Sequence, residues 1–174
     1  MRNISLLALS LAVLFAACDS NDEDLYSGRE TQYNLLEGSY LGTTTTGTIT
    51  IKERVDRTAE IQLVMEGTLN EAVHPVHLHY GSLQDDGLVA EFLNDLKDVG
   101  NNRSQSITHL TQLTDGTAIT YDHLVSMDGS IKVHFEEAGA LRDVILGASN
   151  IGANYSMADV GSVKDITLCN SKTE

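Results

Sequence analysis

The stretch HPVHLHYG, residues 74–81, places three of the chain's six histidines, His74, His77 and His79, within six positions. In a strand, residues two apart share a face. Val76, Leu78 and Tyr80 therefore point one way, and His77 and His79 the other. The same alternation runs through SIKVHF (130–135), where Ile131, Val133 and Phe135 share a face and Lys132 and His134 lie opposite. In each strand the apolar set can fill a core, which leaves the histidines on the far side of the sheet. That placement weakens the reading of these residues as hydrogen-bonded core histidines. Two readings remain, solvated surface histidines or metal ligands. Two imidazoles at i and i+2 can grip one ion, and a third from a neighbouring strand closes a site that suits copper or zinc. His77, His79 and His134 are the candidate ligands. His74, which precedes Pro75 and falls outside the alternation, is a fourth candidate and reads more simply as a loop residue.

Outward from this stretch the chain reads as many short strands. GTITIKE (47–53) and AEIQLVMEGTL (59–69) alternate apolar and polar residues and are joined by RVDRT, the pattern of a hairpin. LVAEFL (88–93), AITYDHLV (118–125), SIKVHF, DVILGAS (143–149) and SVKDITL (162–168) read as further strands. Asp-Gly at 86–87, 115–116 and 128–129 is turn chemistry. EFLNDLKDVGNNRSQS (91–106) reads as a helical turn or a long loop. Short strands at close spacing predict an all-β domain, a Greek-key β-sandwich or barrel.

The N-terminus is of a different kind. MRNISLLALSLAVLFAACDS has one early charge, Arg2, an apolar run from Leu6 to Phe15, and Ala16-Ala17 before Cys18. This is the pattern of a secretory signal, and the run is too short to span a bilayer as a mature helix. A cysteine directly after small residues resembles the lipobox of bacterial lipoproteins, although Phe15 departs from the usual aliphatic residue. That resemblance implies acylation of Cys18, with palmitate among the chains, and anchoring in the lipid bilayer. The expected layout is a signal peptide over 1–17, a lipidated cysteine and acidic flexible tether over 18–35, and the β domain over 36–174. The implied location is the cell envelope, anchored to the outer membrane and facing the periplasm or the cell surface, where outer-membrane proteins are candidate partners. With Cys18 acylated, Cys169 has no partner for a disulfide and reads as a small buried hydrophobe.

The formal net charge is −14, and loss of Arg2 with the signal makes the remainder more negative still. Such a chain is a poor match for nucleic acid or anionic lipid surfaces. The acid pairs Asp85-Asp86 and Glu136-Glu137 read as turn and loop residues, and NDED (21–24) lacks the spacing and glycine of a calcium loop. Tryptophan is absent, which disfavours a carbohydrate-stacking platform.

VHPVHLHYG (73–81), YDHLVSMDGSIKVHFEEAG (121–139) and VILGASNIGAN (144–154) together resemble the copper/zinc superoxide dismutase-like β-sandwich, and more closely the chordin-type (CHRD) domains of bacterial secreted proteins. The resemblance covers roughly residues 40 to 168. It implies copper binding by His77, His79 and His134. Two departures argue against dismutase activity. Between His79 and Tyr121 only His109 is present, so the zinc-loop ligands are missing, and the loop disulfide has no counterpart. Arg142 is the one candidate for the arginine beside copper, and the acidic chain opposes steering of an anion. His123 resembles a structural histidine near a turn. The expectation is a CHRD-like envelope lipoprotein that binds copper or zinc without dismutase activity. The alternatives are an accessory interaction module with vestigial histidines, and a copper-only superoxide dismutase.

Overall fold

The computed structural model describes residues 25–38, 45–68, 71–85, 87–156 and 166. Eight antiparallel strands, β1 (Tyr26–Glu37), β2 (Thr46–Arg54), β3 (Ala59–Glu66), β4 (Val73–Tyr80), β5 (Val89–Gly100), β6 (Arg103–Leu110), β7 (Asp128–His134) and β8 (Ile145–Gly152), close into a barrel. One helical turn, α1 (Tyr121–Leu124), precedes β7. The order around the barrel is β1-β2-β3-β6-β5-β4-β7-β8. Strands β4, β5 and β6 follow one another as neighbours, and β7 returns over a long connection to lie beside β4, which is a Greek key. Closure between β1 and β8, at Leu36↔Ala148 and Glu37↔Gly147, removes the open edges that would otherwise template aggregation.

The alternation in the sequence explains the core. Ile49 and Ile51 of β2, Ile61, Leu63 and Met65 of β3, Val76 and Leu78 of β4, and Ile131 and Val133 of β7 all point inward, at 1% exposure or less. They form one cluster with Leu96, Leu146 and Ile151. The β2–β3 hairpin stands as expected, in unbroken register from Thr46↔Glu66 to Glu53↔Ala59. Its turn is held by Asp56, whose carboxylate accepts the Thr58 N–H, and by Arg57 at a positive φ of 72°. The expected turn at 115–116 also forms, with Gly116 at φ 84° and Asp115 accepting the Thr117 N–H.

Four expectations are corrected. Residues 26–35 are not tether but most of β1, so the ordered barrel starts ten residues earlier than position 36. The segment looks polar because only one face is apolar. Tyr33 and Leu35 are buried, while Gln32 is exposed and Asn34 half-buried. Its N-terminal end is held by polar contacts: Tyr26 donates to Glu60, and Ser27 and Arg29 donate to the buried Glu53. Residues 91–106 hold neither helix nor long loop. They are the β5–β6 hairpin, turned by Gly100, Asn101 and Asn102, all at positive φ. Glycine and asparagine are the residues that tolerate this region best.

Residues 121–124 within AITYDHLV are helical, not strand. Thr120 caps the turn by accepting the His123 N–H, and the buried pair Tyr121 and Leu124 has the three-residue spacing of a helix face. Finally, Asp128-Gly129 begins β7 and is not a turn. Cys18, Cys169, the signal segment and most of SVKDITL lie outside the described residues. Ile166 alone of that strand is described, and it packs on a small second cluster formed by Leu83, Ile145 and Ala148.

Candidate metal centre

β4 and β7 are hydrogen-bonded neighbours, and their register sets the site. His77 lies opposite Lys132, and His79 opposite Ser130. The core faces of the two strands turn inward, so His77, His79, Ser130, Lys132 and His134 share the outer face, as the alternation predicts. Of the two readings left open by the alternation, a solvated face does not hold. His79 and Lys132 are 1% exposed, Ser130 is fully buried, and His134 is 5% exposed. On β8 the register partners of Lys132 and His134, Ala148 and Ile145, belong to the second buried cluster, together with Leu83 of the connection after β4. Leu83 is itself held to β8 by its N–H, which donates to the Asn150 side chain at 2.8 Å.

One nitrogen from each of His77, His79 and His134 lies within 4.8 Å of the others. Metal–nitrogen bonds of about 2.0–2.1 Å put donors on opposite sides of an ion about 4 Å apart, so modest side-chain rotations would bring all three onto one ion. The His77 and His134 rings are 4.6 Å apart at their centroids, and His77 and His79 are 6.0 Å apart.

The ring orientations are fixed from outside the cluster. His79 donates from Nδ1 to the Gly87 carbonyl at 2.9 Å, and His134 donates from Nδ1 to the Arg142 carbonyl at 3.1 Å. A carbonyl can only accept, so in the neutral rings the proton is on Nδ1 and the lone pair on Nε2. This backbone-bound arrangement is the one that orients metal-binding histidines. His77 differs, because its Nδ1 is buried with no hydrogen-bond partner among the described residues. Its ring stands edge-on to Phe92, its register neighbour on β5, at 4.9 Å and 83°. A buried ring nitrogen without a partner costs free energy. A metal ion held through that nitrogen would satisfy it.

The electrostatics match. Burial pushes His77 down to about 3, reinforced by His134, His79 and Lys132. Burial also lowers His134. The Arg142 carbonyl and Asp143 work against this, and Lys132 adds to it. Both groups are therefore neutral at physiological pH, the form that binds metal. The linkage has a definite sign. Between about pH 6.5 and 3 the unfolded chain binds a proton at His77 that the folded chain does not, so stability falls as pH falls through that window. The metal-free barrel is expected to lose melting temperature from about pH 7 to about pH 5, above the range where its carboxylates titrate. Circular dichroism melts across that range check this, and an unchanged melting temperature would contradict it.

The other histidines lie elsewhere. His74 is on β4, not in a loop, and it turns toward the core side with Val76 and Leu78. Its Nδ1 donates to the Phe135 carbonyl at 2.8 Å, and it is not among the three clustered ligands. His109 is exposed on β6 and bonds the Thr58 hydroxyl. His123 is exposed in α1. Arg142 acts through its carbonyl, and its guanidinium lies out beside Asp143 at 3.6 Å. Glu136 caps the following loop by accepting the Leu141 N–H, and Asp85 caps its own turn through Ser82. Sequence reasoning missed the Gly87 and Arg142 carbonyls and Phe92, which depend on register and loop path. Lys132 had a signal, since alternation put it on the histidine face.

Comparison of the chain with protein-family models, with curated proteins and with solved structures finds no match in any of the three.

Proposed function

We propose that this chain is an envelope lipoprotein, anchored by acylated Cys18, whose barrel binds copper or zinc through His77, His79 and His134. The observation that carries the reading is the buried, unpartnered Nδ1 of His77 beside two histidines whose Nδ1 protons are held by backbone carbonyls. Solvated or vestigial histidines would have no need of that arrangement. The paired histidines on β4 and the third on the adjacent β7 support kinship with the CHRD and superoxide dismutase-like β domains. The missing zinc-loop histidines and the net charge of −14 support metal binding without dismutase turnover. Among the described residues no helix is long and apolar enough to cross a membrane, which is compatible with attachment through a lipid.

The test uses the chain lacking residues 1–17, which contains every strand of the barrel, purified without a histidine tag. Loaded with copper or zinc and dialysed, it is expected to retain one equivalent, and the His77→Ala/His79→Ala double variant none. Absence of retained metal in the unmutated chain would sink the reading and leave the interaction module. Superoxide turnover by the copper-loaded chain would move the assignment to a copper-only dismutase.

A further inference from the structure

The connection between β7 and β8, residues 135–144, does more than turn the chain. Its Arg142 carbonyl accepts the His134 Nδ1 proton at 3.1 Å. The connection starts directly behind that ligand, and the β7–β8 ladder shifts register between Val133 and His134. A bulge of this kind re-aims the side chain beside it. Most of the connection has no core to hold its shape, since residues 137–140, 142 and 143 are exposed. Its path is set by hydrogen bonds instead. The Phe135 N–H donates to the Val144 carbonyl at 2.9 Å, and the Val144 N–H donates to the Leu141 carbonyl at 2.9 Å. The Glu136 carboxylate accepts the Leu141 N–H at 2.7 Å. This last bond uses a side chain, and it ties the start of the connection to the residue before Arg142. Gly139 makes room for it. Gly139 stands at φ 121°, and a Cβ there would run into the Glu136 carboxylate.

We infer that Glu136 is a positioning residue of the metal centre: by holding Leu141 it places the Arg142 carbonyl where it fixes the His134 ring. The inference rests on the metal reading of His77, His79 and His134. Glu136 does not touch the ion in this role, and it is not among the three clustered donors. It acts through the path of the backbone. An N–H bond to a carboxylate is charge-assisted and roughly twice as strong as a neutral one, which suits a bond that has to shape an exposed loop. Without it the Arg142 carbonyl loses its fixed place. The neutral His134 ring then divides between its two tautomers, of which only the Nδ1-protonated one keeps its lone pair on Nε2. The sequence pair Glu136-Glu137 is thus divided by the fold. Glu137 is exposed, while Glu136 is half-buried and bonded. A carboxylate also attracts a cation through space, so the test has to separate placement from charge.

The chains compared lack residues 1–17 and carry Cys18→Ser and Cys169→Ser, so that thiolates do not compete for metal. Glu136→Gln loses the charge and keeps an oxygen that can accept the Leu141 N–H. Glu136→Leu loses both. Gly139→Ala keeps the carboxylate but pushes it aside, and it serves if the leucine variant does not fold. Zinc dissociation constants are measured by competition with pyridylazoresorcinol. The His134 tautomer is read in the metal-free chains by nitrogen NMR of the imidazole rings, which needs no ion.

Glu136→Leu is expected to weaken zinc binding ~10- to 100-fold, the range for loss of support around a metal ligand, and to let the His134 ring exchange between tautomers. Glu136→Gln is expected to keep the tautomer and most of the affinity. A loss in Glu136→Gln as large as that in Glu136→Leu would mean that charge and not placement matters, and would overturn the inference. So would an unchanged tautomer and affinity in the leucine variant, or in Gly139→Ala where leucine does not fold. If the chain unmutated at 136 and 139 retains no metal and matches the His77→Ala/His79→Ala variant, the metal reading falls, and this role falls with it even where the tautomer responds.

Discussion

Replacement of Gly152 by valine is expected to destabilise the barrel by ~3 kcal/mol or more, the sum of left-handed backbone strain and a steric clash at a buried junction. Gly152 ends β8 at φ 60°, where a β-branched residue is a clear outlier. The space around it is also closed. A Cβ at this position would lie 2.2 Å from the Met127 carbonyl oxygen, 3.0 Å from the Met127 nitrogen and 3.1 Å from the Leu124 carbonyl. All three are backbone atoms, so no side chain can swing aside to make room.

The Met127 carbonyl is itself needed, because it accepts the Ala153 N–H at 2.9 Å. The Gly152 N–H donates to the Tyr33 hydroxyl at 3.2 Å, so displacement of this corner also loosens β1. The corner joins α1, the start of β7 and the end of β8, and His134 is carried on that same β7 strand. For a domain of this size each kcal/mol corresponds to ~4 °C, so a fall of ~12 °C in melting temperature is expected by calorimetry. A milder change should follow at Gly116, also at positive φ, where an added Cβ would meet nothing within 4 Å. Equal effects at the two glycines would mean that strain alone matters and that the closed junction does not.

The parts of the fold that the sequence announced are those where a single period governs a run of residues. The β2–β3 hairpin and the inward sets of β4 and β7 follow directly from alternation, and with them the common face of His77, His79 and His134. β1 was hidden because its polar face dominates its composition, and its inward residues, Tyr33 and Leu35, are few. β5 was hidden by bulges. Its buried residues Ala90, Leu93 and Leu96 fall three apart, a spacing that imitates a helix, and its register with β4 shifts twice. The burial of the histidine face was not legible at all. Whether a face is wet depends on what packs beside and over it, and Leu83 and Leu36, which pack with Ile145 and Ala148 of the neighbouring β8, come from segments far from β7 in sequence. The hydrogen bonds that orient the ligands come from loop carbonyls, which carry no residue-type signature.

Exchange of His77 for leucine separates a working metal site from a relic. In the metal-free barrel the unpartnered Nδ1 of His77 is a liability, and so is its place between two other imidazoles beside Lys132. Leucine at this position keeps apolar contact with Phe92 and removes the buried polar nitrogen. The metal-free His77→Leu variant is therefore expected to melt at or slightly above the unmutated chain at about pH 7, since replacing an unsatisfied buried polar group by an apolar one is neutral or favourable. Added metal should reverse the order. An ion that binds only the folded state, present at about 1,000 times its dissociation constant, stabilises by ~4.1 kcal/mol, which at ~4 °C per kcal/mol is a rise of ~16 °C. The variant should show little of that rise, because one of three ligands is gone. The crossing of the two melting curves is the informative result, because a histidine kept for packing would lower the metal-free melting temperature when removed. If His77→Leu melts well below the unmutated chain without metal and metal shifts neither protein, His77 is a structural residue and the cluster does not bind.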